Sequence, residues 1–201
     1  MDKRFFNLVL VLVMAVLFVA CEKVTQDTPT NLGYCGKEEN VTIVKARIST
    51  FKRFSEDDYR WMVCEVASVK YENGGFELSE LNFPASISDE YLWAFSEKTI
   101  IEGVTISDIQ AQIGLVSVDA YDSEGKPIGA FALGNDNWSV EYLYADRDFT
   151  EKGISEYGIV IDCFFKKGWN IRYQSSVEKI HTTQKPLNEV FKWHFTAICV
   201  N

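Results

Sequence analysis

Residues 39–201 predict a mainly β domain, a single antiparallel β-sandwich of about eight or nine strands with one or two short helices. Three observations lead there. Apolar and polar residues alternate with period two through much of the segment, which turns one side of an extended chain toward a core and the other toward water. Turn chemistry built from Gly, Asn, Asp and Ser interrupts that alternation at short intervals. Aromatic residues make up 14% of the chain, which suits the broad pleated faces of a sheet. A barrel is the alternative from the same spacing. No internal repeat or mid-chain linker divides the segment, so it reads as one domain.

The first strand falls in residues 41–48, with Thr42, Val44, Ala46 and Ile48 on one face and Lys45 and Arg47 on the other. Residues 59–71 gather Tyr59, Trp61, Val63, Ala67, Val69 and Tyr71 on one face, broken by Glu65. Asn73-Gly74-Gly75 then predicts a hairpin into Phe76-Glu77-Leu78, since glycine reaches positive φ without a Cβ clash. Ser88-Asp89-Glu90 ahead of Tyr91, Leu92, Trp93 and Phe95 predicts a short helix, with a serine cap and carboxylates at its positive end. Residues 113–121 and 127–133 form the strongest hairpin, around Asp122-Ser123-Glu124-Gly125-Lys126. Gly134-Asn135-Asp136-Asn137 turns the chain into a strand over residues 138–145. Residues 158–165 and 169–174 pair around Lys166-Lys167-Gly168. Residues 190–200 close the domain, with Phe191, Trp193, Phe195, Ala197 and Cys199 on one face.

The chain opens differently. Lys3 and Arg4 precede an apolar run over residues 5–20, broken only by Asn7 and ending Phe18-Val19-Ala20-Cys21. A basic head, an apolar middle and a small residue before the cut are the parts of an export signal. The cysteine that follows resembles the lipobox of bacterial lipoproteins, in which it receives diacylglycerol and becomes the first mature residue. Residues 1–20 are therefore expected to be a lipoprotein signal peptide, with Cys21 as the lipidation site. Phe18 stands where a lipobox usually has leucine. An ordinary secretory signal and a retained helix are the rivals, although the run is shorter than the about 17–25 residues that span a bilayer. Residues 21–38 read as the lipidated cysteine and a flexible tether, because residues 22–31 hold a single aliphatic side chain, Val24.

The chain carries 20 basic and 29 acidic residues. Residues 1–20 contain Asp2, Lys3 and Arg4, a net +1, so cleavage would take the charge from −9 to −10. A strongly acidic protein without a basic stripe repels phosphate backbones, which excludes nucleic acid as a partner. With Cys21 lipidated, Cys35, Cys64, Cys163 and Cys199 remain, an even number suited to disulfides in an exported protein. Three pairings are open, as is the alternative that Cys64 and Cys163 are buried free thiols. No C-x-x-C occurs, so no metal site and no cofactor are expected.

Several stretches carry a resemblance. Cys21, then Asn73-Gly74-Gly75-Phe76-Glu77-Leu78 followed by Phe83-Pro84, then Tyr142-Leu143-Tyr144-Ala145-Asp146-Arg147-Asp148-Phe149-Thr150 together resemble a class of small lipoproteins of gut Bacteroidetes. The acidic Glu22 after Cys21 resembles the lipoproteins of that phylum sent to the cell surface. The resemblance implies an immunoglobulin-like or transthyretin-like sandwich held at the outer membrane, on its surface or its periplasmic face. It carries no catalytic residues across.

No G-x-S-x-G, G-x-x-x-x-G-K-[ST] or G-x-G-x-x-G motif occurs, and an antiparallel sheet would not present the phosphate loops at a helix start. His194 alternates with Trp193 and Phe195, as a solvated strand residue would, and His181 lies in a polar stretch that reads as a loop. Glu65 and Asp119 interrupt apolar strand faces, where a carboxylate meets an arginine or an edge more often than a substrate. Asp146 and Asp148, with Asn135, Asp136 and Asn137, supply oxygens at alternating loop positions but lack the regular spacing of a calcium loop and favour turns. The aromatics remain. Trp138, following Asn135, Asp136 and Asn137, is the best-placed ring to stack on a sugar with polar neighbours, and Trp93 is second; the alternative is that both fill the core. The expected role is non-enzymatic binding at the outer membrane, with a glycan or another surface protein as partner. A structural or adhesive subunit with an unpaired edge strand is the alternative.

Overall fold

The computed structural model describes residues 34–53, 59–78, 83–96 and 100–200. The export signal, Cys21 and most of the tether lie outside the described residues. Two-residue strands β1 (Tyr34–Cys35) and β4 (Trp93–Ala94) accompany the long pair β2 (Ile43–Arg53) and β3 (Tyr59–Lys70). Next come β5 (Val104–Ile106), β6 (Gln112–Tyr121), β7 (Pro127–Gly134), β8 (Ser139–Ala145) and β9 (Phe149–Ile154). The chain ends with β10 (Val160–Phe165), β11 (Gly168–Ser175), β12 (Ile180–Thr182), β13 (Lys192–Ala197) and β14 (Cys199–Val200).

Twelve strands form one open mixed sheet in the order β3-β2-β6-β7-β8-β11-β12-β10-β9-β5, with β13 added to β7 and β4 to β6. β1 and β14 make a separate antiparallel pair. The sheet forks at β6. Its C-terminal end pairs Asp119 with Ala130 of β7, while its N-terminal end pairs Ile113 with Ala145 of β8. Three buried clusters result, two of them on opposite sides of β8. Tyr142 and Tyr144 reach the one built on Val44, Ala46, Ile48, Val118 and Phe131; Leu143 and Ala145 reach the one built on Ile113, Phe149, Ile161 and Phe165. Period-two alternation along one strand thus serves both cores, and each fully buried large side chain contributes roughly 1.5–3 kcal/mol.

The mainly β class and the strands over residues 41–48, 113–121, 127–133 and 138–145 agree with expectation. At the Asp122 turn, Oδ1 accepts the N–H groups of Glu124 at 3.0 Å and Lys126 at 2.9 Å, and Gly125 takes φ 78°. The strands exceed eight or nine, because pieces of two or three residues complete ladders whose pattern is too short to read.

Three local expectations change. The helix after Ser88 is a single 3-10 turn, Asp89–Tyr91, without a serine cap, because Leu92 is already extended and Trp93 pairs with Ile113. Asn73 and Gly74 do form a tight turn, with φ 55° and 76°, but β3 pairs with β2 rather than with Phe76 and Leu78. Phe76 instead packs into the core, its ring 4.8 Å from Phe131 and 5.1 Å from Trp193. Finally, β10 and β11 diverge from their turn and β12 fills the gap, parallel to β10 and antiparallel to β11. His181 is therefore a strand residue and not a loop residue.

Candidate functional site

The inserted strand assembles a polar face. β8 and β11 set Glu141 opposite Arg172 and Ser139 opposite Gln174; β12 adds His181 opposite Gln174; β9 and β10 set Glu151 opposite Cys163. Arg172 donates from Nε and Nη2 to one oxygen of Glu141, at 2.9 and 2.6 Å, and Gln174 donates to the same oxygen at 2.7 Å. The other terminal nitrogen of Arg172, Nη1, lies 3.8 Å from Glu151. The Arg172 side chain is 15% exposed and that of Glu151 12%, so this is a largely desolvated group of charges.

Burial dominates its electrostatics. It raises the Glu151 carboxyl above the ordinary carboxylate range, with Arg172 pulling the other way and Glu141 adding to the rise. Burial also pushes the Cys163 thiol up to about 12, helped by Glu151, so Cys163 is a packed thiol and no nucleophile at neutral pH. His181 is lowered by burial and then by the Arg172 charge, which keeps its imidazole neutral near pH 7.

A shallow cleft of about 310 Å³ opens beside this group, between the Asn135–Trp138 turn and Ser139, Gln174, Ser176 and His181. Asn135 closes the turn: its Oδ1 accepts the N–H groups of Asn137 at 3.0 Å and Trp138 at 2.9 Å, while its Nδ2 donates to Glu189 at 2.6 Å. Asp136 and Asn137 stand exposed at the rim. Trp138 lines the cleft but is only 5% exposed, packed with Val140 and Tyr173, and its Nε1 has no hydrogen-bond partner. It offers no flat ring to a sugar. Trp93 is not in the cleft; it packs against Phe95, centroids 5.1 Å apart, beside the second core. Sequence reasoning found the turn and missed Gln174, Ser176 and His181, which reach it only through the β12 insertion. A second depression of about 410 Å³ near Tyr71 is rimmed by Glu38 and Glu39, and Tyr71 donates to Glu38 at 2.5 Å. Its lining carries two carboxylates, whereas that of the cleft carries one, Asp136.

The other singled-out residues have local partners. Asp119 accepts from Arg47 Nε at 2.7 Å and Glu65 from Lys45 at 2.8 Å. Asp146 accepts the Gln112 N–H at 2.7 Å; Asp148 accepts from Lys166 Nζ and the Lys167 N–H, both at 2.8 Å. His194 is exposed, its Nε2 3.3 Å from the Gly134 carbonyl oxygen. Cys64 and Cys163 are free, the first half-buried and the second buried. Among the described residues no helix is long and apolar enough to cross a membrane. Comparison of the chain with protein-family models, curated proteins and solved structures gives no match.

Proposed function

We propose that the chain is a lipid-anchored protein of the outer membrane, held through Cys21, whose domain binds a ligand without transforming it. The observation that carries the reading is the order Lys3-Arg4, apolar run, Val19-Ala20-Cys21 and polar tether. The domain is read as a distorted immunoglobulin-like sandwich, a reading supported by the fork at β6. For the ligand, the cleft favours a neutral, hydroxyl-rich molecule such as a glycan. Asn137, Ser139, Gln174 and Ser176 carry no charge there, His181 is held neutral, and the single carboxylate of the lining, Asp136, is an acceptor for hydroxyl groups. With Trp138 buried, this version rests on hydrogen bonds and not on stacking.

Metabolic labelling with palmitate in a lipoprotein-processing host tests the anchor. The wild-type chain takes up label and partitions with membranes, and Cys21→Ser loses both properties. Equal labelling of the two would refute the assignment of Cys21.

One observation favours the adhesive alternative. β3 is twelve residues long and ends the sheet, with β2 on one side and no strand among the described residues on the other. Such an edge accepts an added strand.

A further inference from the structure

We infer that Cys35 and Cys199 form an intramolecular disulfide that closes the β1–β14 pair, leaving Cys64 and Cys163 as thiols. The ladder carries the inference. Tyr34 faces Val200 and Cys35 faces Cys199 as direct antiparallel partners. Directly opposed residues in antiparallel strands have Cα atoms about 4.5–5.5 Å apart, whichever kind of pair they form, inside the about 4.4–6.8 Å that disulfides span. The pair is also held in place. Gly36 N–H donates to the Ile198 carbonyl at 3.3 Å, and Ile198 N–H donates to the Ile128 carbonyl at 3.0 Å. A Cβ on Gly36 would lie 1.9 Å from the Ile128 oxygen, so only glycine lets the backbone pass this close to β7.

Topology disfavours the other two pairings. Cys64 lies in β3 at one end of the sheet path, and Cys163 lies buried in β10 toward the opposite end. Burial raises both thiols, which slows exchange through their thiolates.

Forming the bond takes two protons and two electrons from the thiols. A dithiol–disulfide oxidant of an exported compartment supplies the balance: the thiolate of one cysteine attacks its disulfide, the other cysteine resolves the mixed disulfide, and the oxidant leaves as a dithiol. The bond encloses 163 residues, and Cys35 follows Cys21 by fourteen positions. Together with the proposed lipid on Cys21, it passes a pull on the tether to β14 and spares a two-residue strand that would otherwise fray.

The test is peptide mapping of the full chain exported by its host, denatured and alkylated before any reduction. Trypsin releases residues 24–37 with Cys35 and residues 193–201 with Cys199, both separate from Cys21. The expected result is one linked species joining these peptides, with Cys64 and Cys163 alkylated, and release of the link by reductant. The same link persists in a Cys64→Ser/Cys163→Ser variant. Alkylation of Cys35 and Cys199 without reduction, or a link from either one to Cys64, Cys163 or a second chain, overturns the inference. Because neither peptide contains Cys21, a failed lipid assignment leaves the readout intact.

Discussion

Arg172 and Glu141 face each other across β11 and β8, and two guanidinium nitrogens share one carboxylate oxygen at 2.9 and 2.6 Å. That oxygen also receives Gln174, so the pair fixes the strands next to the cleft. Replacing Arg172 by Met strands Glu141 and Glu151 without their cation. Breaking a desolvated pair from one side costs about 3–5 kcal/mol, and the exposure of Glu141 (34%) places this case near the lower figure. Arg172→Lys keeps the charge without the fork and should recover only part of the loss. Urea unfolding of the three proteins checks the order; equal midpoints would show that the pair contributes nothing.

How much of this was legible in the sequence follows from which signals are local. Val44, Ala46 and Ile48 announce β2 through their own alternation, and Asp122 with Gly125 announces the β6–β7 turn. The insertion of β12 between β10 and β11 has no local mark. Ile180-His181-Thr182 is three residues long, and its strand conformation follows from two neighbours that diverge. The cleft inherits that opacity: the Asn135–Trp138 turn could be read, but the residues facing it from β11 and β12 could not. Trp138 was ambiguous for another reason. A ring at a strand start is equally compatible with stacking and packing until Val140 and Tyr173 are seen beside it.

The His181 and Glu151 shifts give opposite pH dependences. The His181 pKa is depressed in the folded state, so the stability it contributes is present above its ordinary value of about 6.5 and is lost as pH falls through its folded value. Glu151 is raised, so its contribution is complete below its ordinary value of about 4.3 and is lost as pH rises through its folded value. Relative to wild type, His181→Gln should gain stability as pH falls below about 6.5, and Glu151→Gln should gain as pH rises above about 4.3. Denaturant midpoints between these limits check the signs. Parallel curves for wild type and either variant would remove that residue as a source.

Trp138 separates a packing role from a recognition role. Truncation to alanine empties a site between Val140 and Tyr173 and should cost about 3–5 kcal/mol. Phenylalanine keeps most of the apolar volume and deletes an N–H that has no partner, so Trp138→Phe should cost less than about 1.5 kcal/mol. Thermal and urea unfolding distinguish the two. An alanine variant as stable as wild type would mean that the ring does not belong to the core, and would return it to consideration as a stacking surface.

The open edge of β3 bears on whether the domain binds small ligands or other strands. Val63 is 45% exposed, so a lysine there should change stability by no more than about 0.5 kcal/mol. A charge on an edge strand nevertheless opposes the approach of a second strand. If the chain works by strand addition, the wild-type domain should self-associate or capture an extended peptide, and Val63→Lys should weaken that association at unchanged fold. Sedimentation velocity over a concentration series, with circular dichroism as the fold control, reads both quantities. A wild-type domain that remains monomeric throughout and takes up no peptide would dismiss the adhesive alternative and leave the cleft as the surface to probe with glycans.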